Sequence, residues 1–152
     1  MAALKGIRIL DLTLTLPGPY CTHLLADFGA EVIKVENPEV GGDWFRTEKP
    51  SIEGWGIRFL DLNRNKKSIT LNLKSPKGKE IFSALARTSQ VIVEGFRPGV
   101  VERLKLVGAI HGEERLSYMM QRKIIMLTIS VSALTRIYHI HGYLKKKMLL
   151  AL

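Results

Sequence analysis

The residues best suited to chemistry lie in Val91-Ile-Val-Glu-Gly-Phe-Arg-Pro-Gly99, where three β-branched residues run into a loop with one aromatic and one arginine. The guanidinium of Arg97 offers a planar fork to phosphate or carboxylate oxygens, and Gly95 lets backbone N–H groups come close to a ligand. Loops that leave strand ends in this way bind ligands in open α/β sheets, although the same residues also describe an ordinary strand and turn. Glu36 ends an earlier strand-like run, where dinucleotide folds keep a ribose-binding acid; the alternative is a solvated strand end. The basic stretch Asn63 to Lys67 is either a small phosphate site or a solvated turn. No GxGxxG signature and no Walker-type lysine loop lies between Leu12 and Cys21. His139 and His141 stand at i and i+2 with no acid or cysteine nearby, a poor metal set, and no metal is expected. His23 reads as a satisfied or partly exposed histidine.

These candidates need a scaffold. Lys5 to Leu12 is an aliphatic run bounded by glycine and reads as a buried first strand. Thr13 to Pro19 forms a loop, and Pro19 suits the first position of a helix over Tyr20 to Phe28, with Leu24, Leu25 and Phe28 at helical spacing and Gly29 as its cap. Glu31 to Val35 is a second strand, which completes a β-loop-α-β unit of about 30 residues. Asn37 to Gly56 is loop-like, with Trp44 and Trp55 expected to cover a core edge. Phe59 to Ser68 passes from apolar to strongly polar. Ser68 to Leu73 alternates with period two and predicts a strand. Ser75 and Pro76 are an N-cap and first residue for a helix to about Arg87, with Ile81, Phe82 and Leu85 inward. The pattern is α/β: a Rossmann-like parallel sheet of β-α-β units.

At 152 residues, with 46% hydrophobic and 24% charged residues, the chain has material for one ordinary core. Its net charge of +9 invites an anionic partner. The excess sits late: beyond Glu114 there are Arg115, Arg122, Lys123, Arg136 and Lys145 to Lys147, and no acid. Without interleaved aromatics or a nucleic-acid motif, a small anionic ligand is favoured over DNA or RNA. The lone Cys21, the absence of a signal pattern and the absence of a long apolar run lead to an expectation of a cytoplasmic protein with no membrane span.

Taken in order, these segments resemble the amino-terminal part of the family III CoA-transferases, the CaiB/BaiF type that includes formyl-CoA transferase, carnitine CoA-transferase and α-methylacyl-CoA racemase. The resemblance rests on Gly6 to Leu12, Pro17-Gly-Pro-Tyr-Cys21, Leu24 to Glu36, Leu62 to Lys74 and Val93 to Val100, within residues 4 to 106. It implies coenzyme A or an acyl-CoA as substrate, a small carboxylic acid as acceptor, and an interlaced homodimer in full-length relatives. It further implies that Leu16 and Pro17 line the pantetheine path and that Asn37 lies near the adenine. Leu71, Asn72, Leu73 and Lys74, with Gly95, Phe96 and Arg97, would wrap the nucleotide, while Arg103 meets a phosphate. Asn37 stands where many members carry arginine, and Gly95 where many carry asparagine.

The resemblance divides the chain into residues 1–106, the coenzyme A-binding part, and 107–152, a divergent basic tail. Transferases of this family attack the acyl-CoA with a carboxylate further along, and racemases use a His and carboxylate pair. The tail has no acid after Glu114, so the chain is expected to be a fragment without its catalytic carboxylate. The rival readings are a racemase-like fragment and a non-catalytic coenzyme A-binding module. Lys123 to Ser130 still resembles the family's next buried strand. Codons allowed for Val131 to His139, read one nucleotide earlier, can encode Gly-Phe-Gly-Pro-Tyr-Ala-Asn-Ile-Pro, close to the family's continuation. This motivates the hypothesis of a frameshift after Ser130, with a truly shortened protein as the alternative. Resequencing that finds no family-like alternative frame would sink it.

Overall fold

The computed structural model describes residues 2–97 and 99–106, and the backbone of 125–128. Five parallel strands form the sheet: β1 (Arg8–Asp11), β2 (Glu31–Glu36), β5 (Lys66–Thr70), β6 (Val91–Glu94) and β7 (Ile125–Thr128), in the order β5-β2-β1-β6-β7. From β1 the chain builds outward through β2 to β5, then returns to lay β6 and β7 on the other side of β1. The strand expected in Lys123 to Ser130 is β7, paired with β6 in parallel.

Alternation along the strands separates two faces. Leu10, Leu12, Val35 and Ile92 point one way and pack with Leu71, Phe82 and Ala86, the last two from α3 (Pro76–Arg87). Ile9, Val32 and Val93 point the other way, against Ala26 of α1 (Pro17–Asp27). On α3, Ser75 accepts a hydrogen bond from the Gly78 N–H at 3.0 Å and Pro76 takes the first helical position, as the sequence predicts.

Three expectations need correction. Helix α1 begins at Pro17, which makes Pro19 its third residue rather than its first. Its inward face is Gly18, Pro19, Thr22, His23 and Ala26, while Leu24 and Phe28 are exposed. The cause is the sheet beneath: Asp11 and Lys34 lie on this face, and Thr22 Oγ1 donates to Asp11 Oδ2 at 2.5 Å. A helix over buried charge turns hydroxyls inward. The strand expected at Ser68 to Leu73 is β5 at Lys66–Thr70; the Leu71 N–H still donates to the Glu36 carbonyl at 2.9 Å, and the Leu71 and Leu73 side chains then pack on the core beneath α3.

The third concerns the loop from Asn37 onward. It contains 3-10 turns at Pro38–Val40 and Trp44–Arg46, a short hairpin of β3 (Ser51–Ile52) and β4 (Trp55–Gly56), and α2 (Ile57–Asn63). Phe45, Phe59 and Leu62 make a small core of their own. Gly56 lets it close, since a Cβ there would lie 2.0 Å from the Phe45 carbonyl oxygen. Trp55 stacks on Phe59 with centroids 6.0 Å apart, whereas Trp44 is 68% exposed, its ring 6.2 Å from that of Phe45.

Candidate functional site

The strand order reverses between β1 and β6, so the loops leaving their carboxyl ends diverge and open a crevice. A cavity of about 150 Å³ lies there, lined by Leu12, Thr13, Leu14, Thr15, Pro17, Gly18, Gly95 and Phe96. No lining side chain is ionisable. The walls are held from below by strand-terminal carboxylates. Asp11, the last residue of β1, accepts from the Thr13 N–H at 2.9 Å and, by a short bond, from the Thr13 hydroxyl. Glu94, the last residue of β6, accepts from the Phe96 N–H at 2.8 Å. Glu36, the last residue of β2, accepts from the Asp43 N–H at 3.1 Å. Each acid is buried and turns the loop that follows it.

Beneath the cavity the buried charges form a connected set. Lys34 Nζ donates to the Thr13 carbonyl at 2.8 Å and stands 3.0 Å from Asp43 Oδ2. Lys66 Nζ donates to Asp11 Oδ2 at 3.1 Å, the Pro19 carbonyl at 2.8 Å and Asn63 Oδ1 at 3.0 Å. Thr13 is therefore gripped at its N–H, hydroxyl and carbonyl. Burial alone would raise the Asp11 carboxyl; Lys34, Lys66 and the hydroxyls of Thr13 and Thr22 outweigh it and hold it below the ordinary carboxylate value. Burial pushes the Lys66 ammonium down to about 8, with Asp11 opposing.

Helix α1 opens Pro17-Gly18-Pro19, so two of its first three residues carry no N–H. A helix start so poor in donors is a weak cradle for pyrophosphate, in contrast to a dinucleotide-binding turn. Gly18 brings it close: a Cβ there would meet the Thr13 side chain at 2.2 Å. The crevice thus suits a narrow, uncharged chain better than an anionic group.

The residues singled out from the sequence fall into three groups. Pro17, Gly95 and Phe96 line the cavity, with Leu16 exposed at the adjacent cap of α1 and Arg97 exposed beyond Phe96. Asn37, Asn72 and Lys74 gather at the ends of β2 and β5 around Glu39. Asn37 Oδ1 accepts from the Glu39 N–H at 3.0 Å, and Asn72 and Lys74 donate to its two carboxylate oxygens at 2.8 and 2.7 Å. Leu71 is buried and Leu73 half-buried in the core, so only their backbone could face a ligand. Arg103 is exposed on α4 (Val100–Arg103), which follows the left-handed Gly99. Sequence reasoning missed Thr13, Leu14, Thr15 and Gly18, whose only signal was a loop between strand and helix.

Glu36 is neither of the alternatives that its position suggested. It accepts from Arg46 through both carboxylate oxygens and from Ser68 at 2.8 Å, and the Arg46 guanidinium lies 4.0 Å from the Phe59 ring centroid. Burial opposes its ionisation, but Arg46, Ser68 and the Asp43 N–H hold it below the ordinary value. A carboxylate so occupied has no capacity for a ribose.

Comparison with known proteins is decisive at this point: residues 4–129 match the sequence profile of CoA-transferase family III. The chain belongs to that family. It is 52% identical over 103 residues to a formyl-CoA:oxalate CoA-transferase of Rhodopseudomonas palustris, covering 67% of this chain and 24% of that protein. It is 45% identical over 108 residues to a succinyl-CoA:mesaconate CoA-transferase of Haloarcula marismortui, covering 68% and 27%. Among solved structures it resembles a hypothetical protein of Mycobacterium tuberculosis, with TM-score 0.71, 37% identity and coverage of 86% and 34%. A CaiB/BaiF family protein of Brucella suis gives TM-score 0.68 at 31% identity, with coverage of 84% and 33%. This family III chain spans about a quarter of the length of those curated relatives. Among its described residues no helix is long and apolar enough to cross a membrane.

Proposed function

We propose that this chain is the coenzyme A-holding part of a cytoplasmic family III CoA-transferase that moves coenzyme A between an acyl-CoA and a small carboxylic acid, in an assembly of two copies. The observation that carries the reading is the crevice at the strand-order reversal, walled by uncharged groups and closed by a helix start that carries two prolines. Coenzyme A combines a long neutral arm with a charged nucleotide, and a cavity of about 150 Å³ takes only a slender part of it. Leu16, Pro17, Gly95 and Phe96 would take the pantetheine arm. Asn37, the backbone of Leu71 and Leu73, and the side chains of Asn72 and Lys74 would take the nucleotide, and Arg97 and Arg103 the phosphates.

The part that would bind is distinct from the part that would react. Asp11, Glu36, Asp43 and Glu94 are buried and already engaged by Lys66, Arg46, Lys34 or loop N–H groups. None is placed to attack a thioester in the cavity, and the nucleophilic carboxylate of the transferase reaction would come from elsewhere in a whole transferase. Calorimetry with coenzyme A, paired with a transfer assay from formyl-CoA or succinyl-CoA to a dicarboxylic acid, tests the reading. Binding without turnover is expected of the chain. Absence of binding would overturn the coenzyme A reading, and turnover would overturn the separation of binding from reaction.

A further inference from the structure

Glu39 is held by two donors of the kind that hold a phosphate. It sits in the first 3-10 turn after β2, the strand whose end meets the ribose in nucleotide-binding sheets. Its two carboxylate oxygens are taken separately: Asn72 Nδ2 donates to one at 2.8 Å and Lys74 Nζ to the other at 2.7 Å. The donors are themselves set in place, because Asn72 Oδ1 accepts the Lys74 N–H at 2.9 Å and so fixes which end of the amide faces Glu39. Asn37 fixes the turn by accepting the Glu39 N–H. An amide N–H and an ammonium presented to two oxygens of one anion would serve two oxygens of a phosphate equally well. Hydrogen bonds from Lys74, then its charge, keep the Glu39 carboxyl below the ordinary value, so it is ionised at neutral pH.

We propose that Glu39 is an internal counter-ion occupying the ribose-phosphate subsite of Asn72 and Lys74, so that it weakens binding of ligands that carry a phosphate there and leaves unphosphorylated ones unaffected. This rests on the coenzyme A reading above. A ribose phosphate entering the subsite must take both donors from Glu39 and lie beside its charge. The carboxylate therefore sets how strongly the site distinguishes coenzyme A from 3'-dephospho-coenzyme A.

The test is a set of calorimetric affinities for coenzyme A and 3'-dephospho-coenzyme A with the wild-type chain, Glu39→Gln, Lys74→Ala and the double variant. Glu80→Gln serves as control, since Glu80 is an exposed acid paired with Lys77 on α3 and its loss changes net charge equally. Glu39→Gln should tighten coenzyme A by about three- to tenfold, change the dephospho ligand less than about twofold, and have no effect once Lys74 is alanine. Equal tightening of both ligands, an equal gain in Glu80→Gln, or a gain that survives without Lys74 would overturn the proposal. Should the wild-type chain not bind coenzyme A, the functional reading fails on its own, and adenosine 3',5'-bisphosphate then decides this one. Tighter binding by Glu39→Gln than by wild type supports it, and equal or no binding by both overturns it.

Discussion

Asp11, Glu36 and Glu94 occupy the same place on three neighbouring strands, and each spends its charge on the loop that follows. The ammonium of Lys34 is the counterpart on the sheet face, joining the Thr13 carbonyl to Asp43. Lys34→Met leaves Asp43 buried and unpaired and should destabilise the fold by about 3–5 kcal/mol in urea titration. Lys34→Met with Asp43→Leu should recover much of that loss; no recovery would show that the pair is not the unit. Lys66 gives a pH signature. It titrates at about 8 when folded and 10.5 when unfolded, so between these values the unfolded chain holds the extra proton. Stability should rise with pH across that window, by on the order of 3 kcal/mol, and Lys66→Met should flatten the rise. On the acid side Asp11 and Glu36 are held low. Their contribution is complete above the ordinary carboxylate range and is lost as pH falls through the lowered values.

Among the elements, α3 is the one most fully readable: its cap, its proline and the inward Phe82 follow from local chemistry. Phe82→Ala should cost about 3–5 kcal/mol, measured by denaturant unfolding. Helix α1 was legible as a helix but not as a face. Its Leu24 and Phe28 have the right spacing for a core, yet the decisive neighbours, Asp11 and Lys34, belong to strands elsewhere in the chain. Glu36 was misread for the same reason, since Arg46 and Ser68 reach it only after the loop and β5 have folded back. The cavity was half legible. Gly95 and Phe96 announce themselves by composition, whereas Thr13 and Gly18 matter through one close approach. Gly18→Ala should cost about 1–3 kcal/mol by pushing Thr13 aside, and Thr13→Ala in the same chain should restore part of it. An additive loss in the double variant would count against that contact.

For the whole molecule, Leu16, Tyr20, Leu24 and Phe28 recur every fourth residue along α1 and its two caps and are all exposed, and Ile57 and Leu60 of α2 add to the exposed apolar surface. In proteins four times as long, such a stripe has chain available to cover it. Expressed by itself, this chain should self-associate in light scattering at micromolar concentration; a monodisperse monomer that melts cooperatively would contradict this. The family match ends at residue 129, beside the Ser130 at which codon compatibility suggests a lost reading frame. Genomic sequence through the tail is the test of the frameshift hypothesis.

The reversal of strand order has a consequence for synthesis. Arg8, which opens β1, bonds Glu31, 23 residues later, and Gln90, 82 residues later. A ribosome adding about 5–20 residues per second delivers the first partner within seconds and the second only after roughly 4–16 s. Throughout that interval the central strand of the finished sheet is an edge strand, its N–H and C=O groups bare on one side. The crevice at the reversal closes only once β6 arrives, so chains stalled before Val91 would present Ile9 and Leu10 to any strand that arrives first.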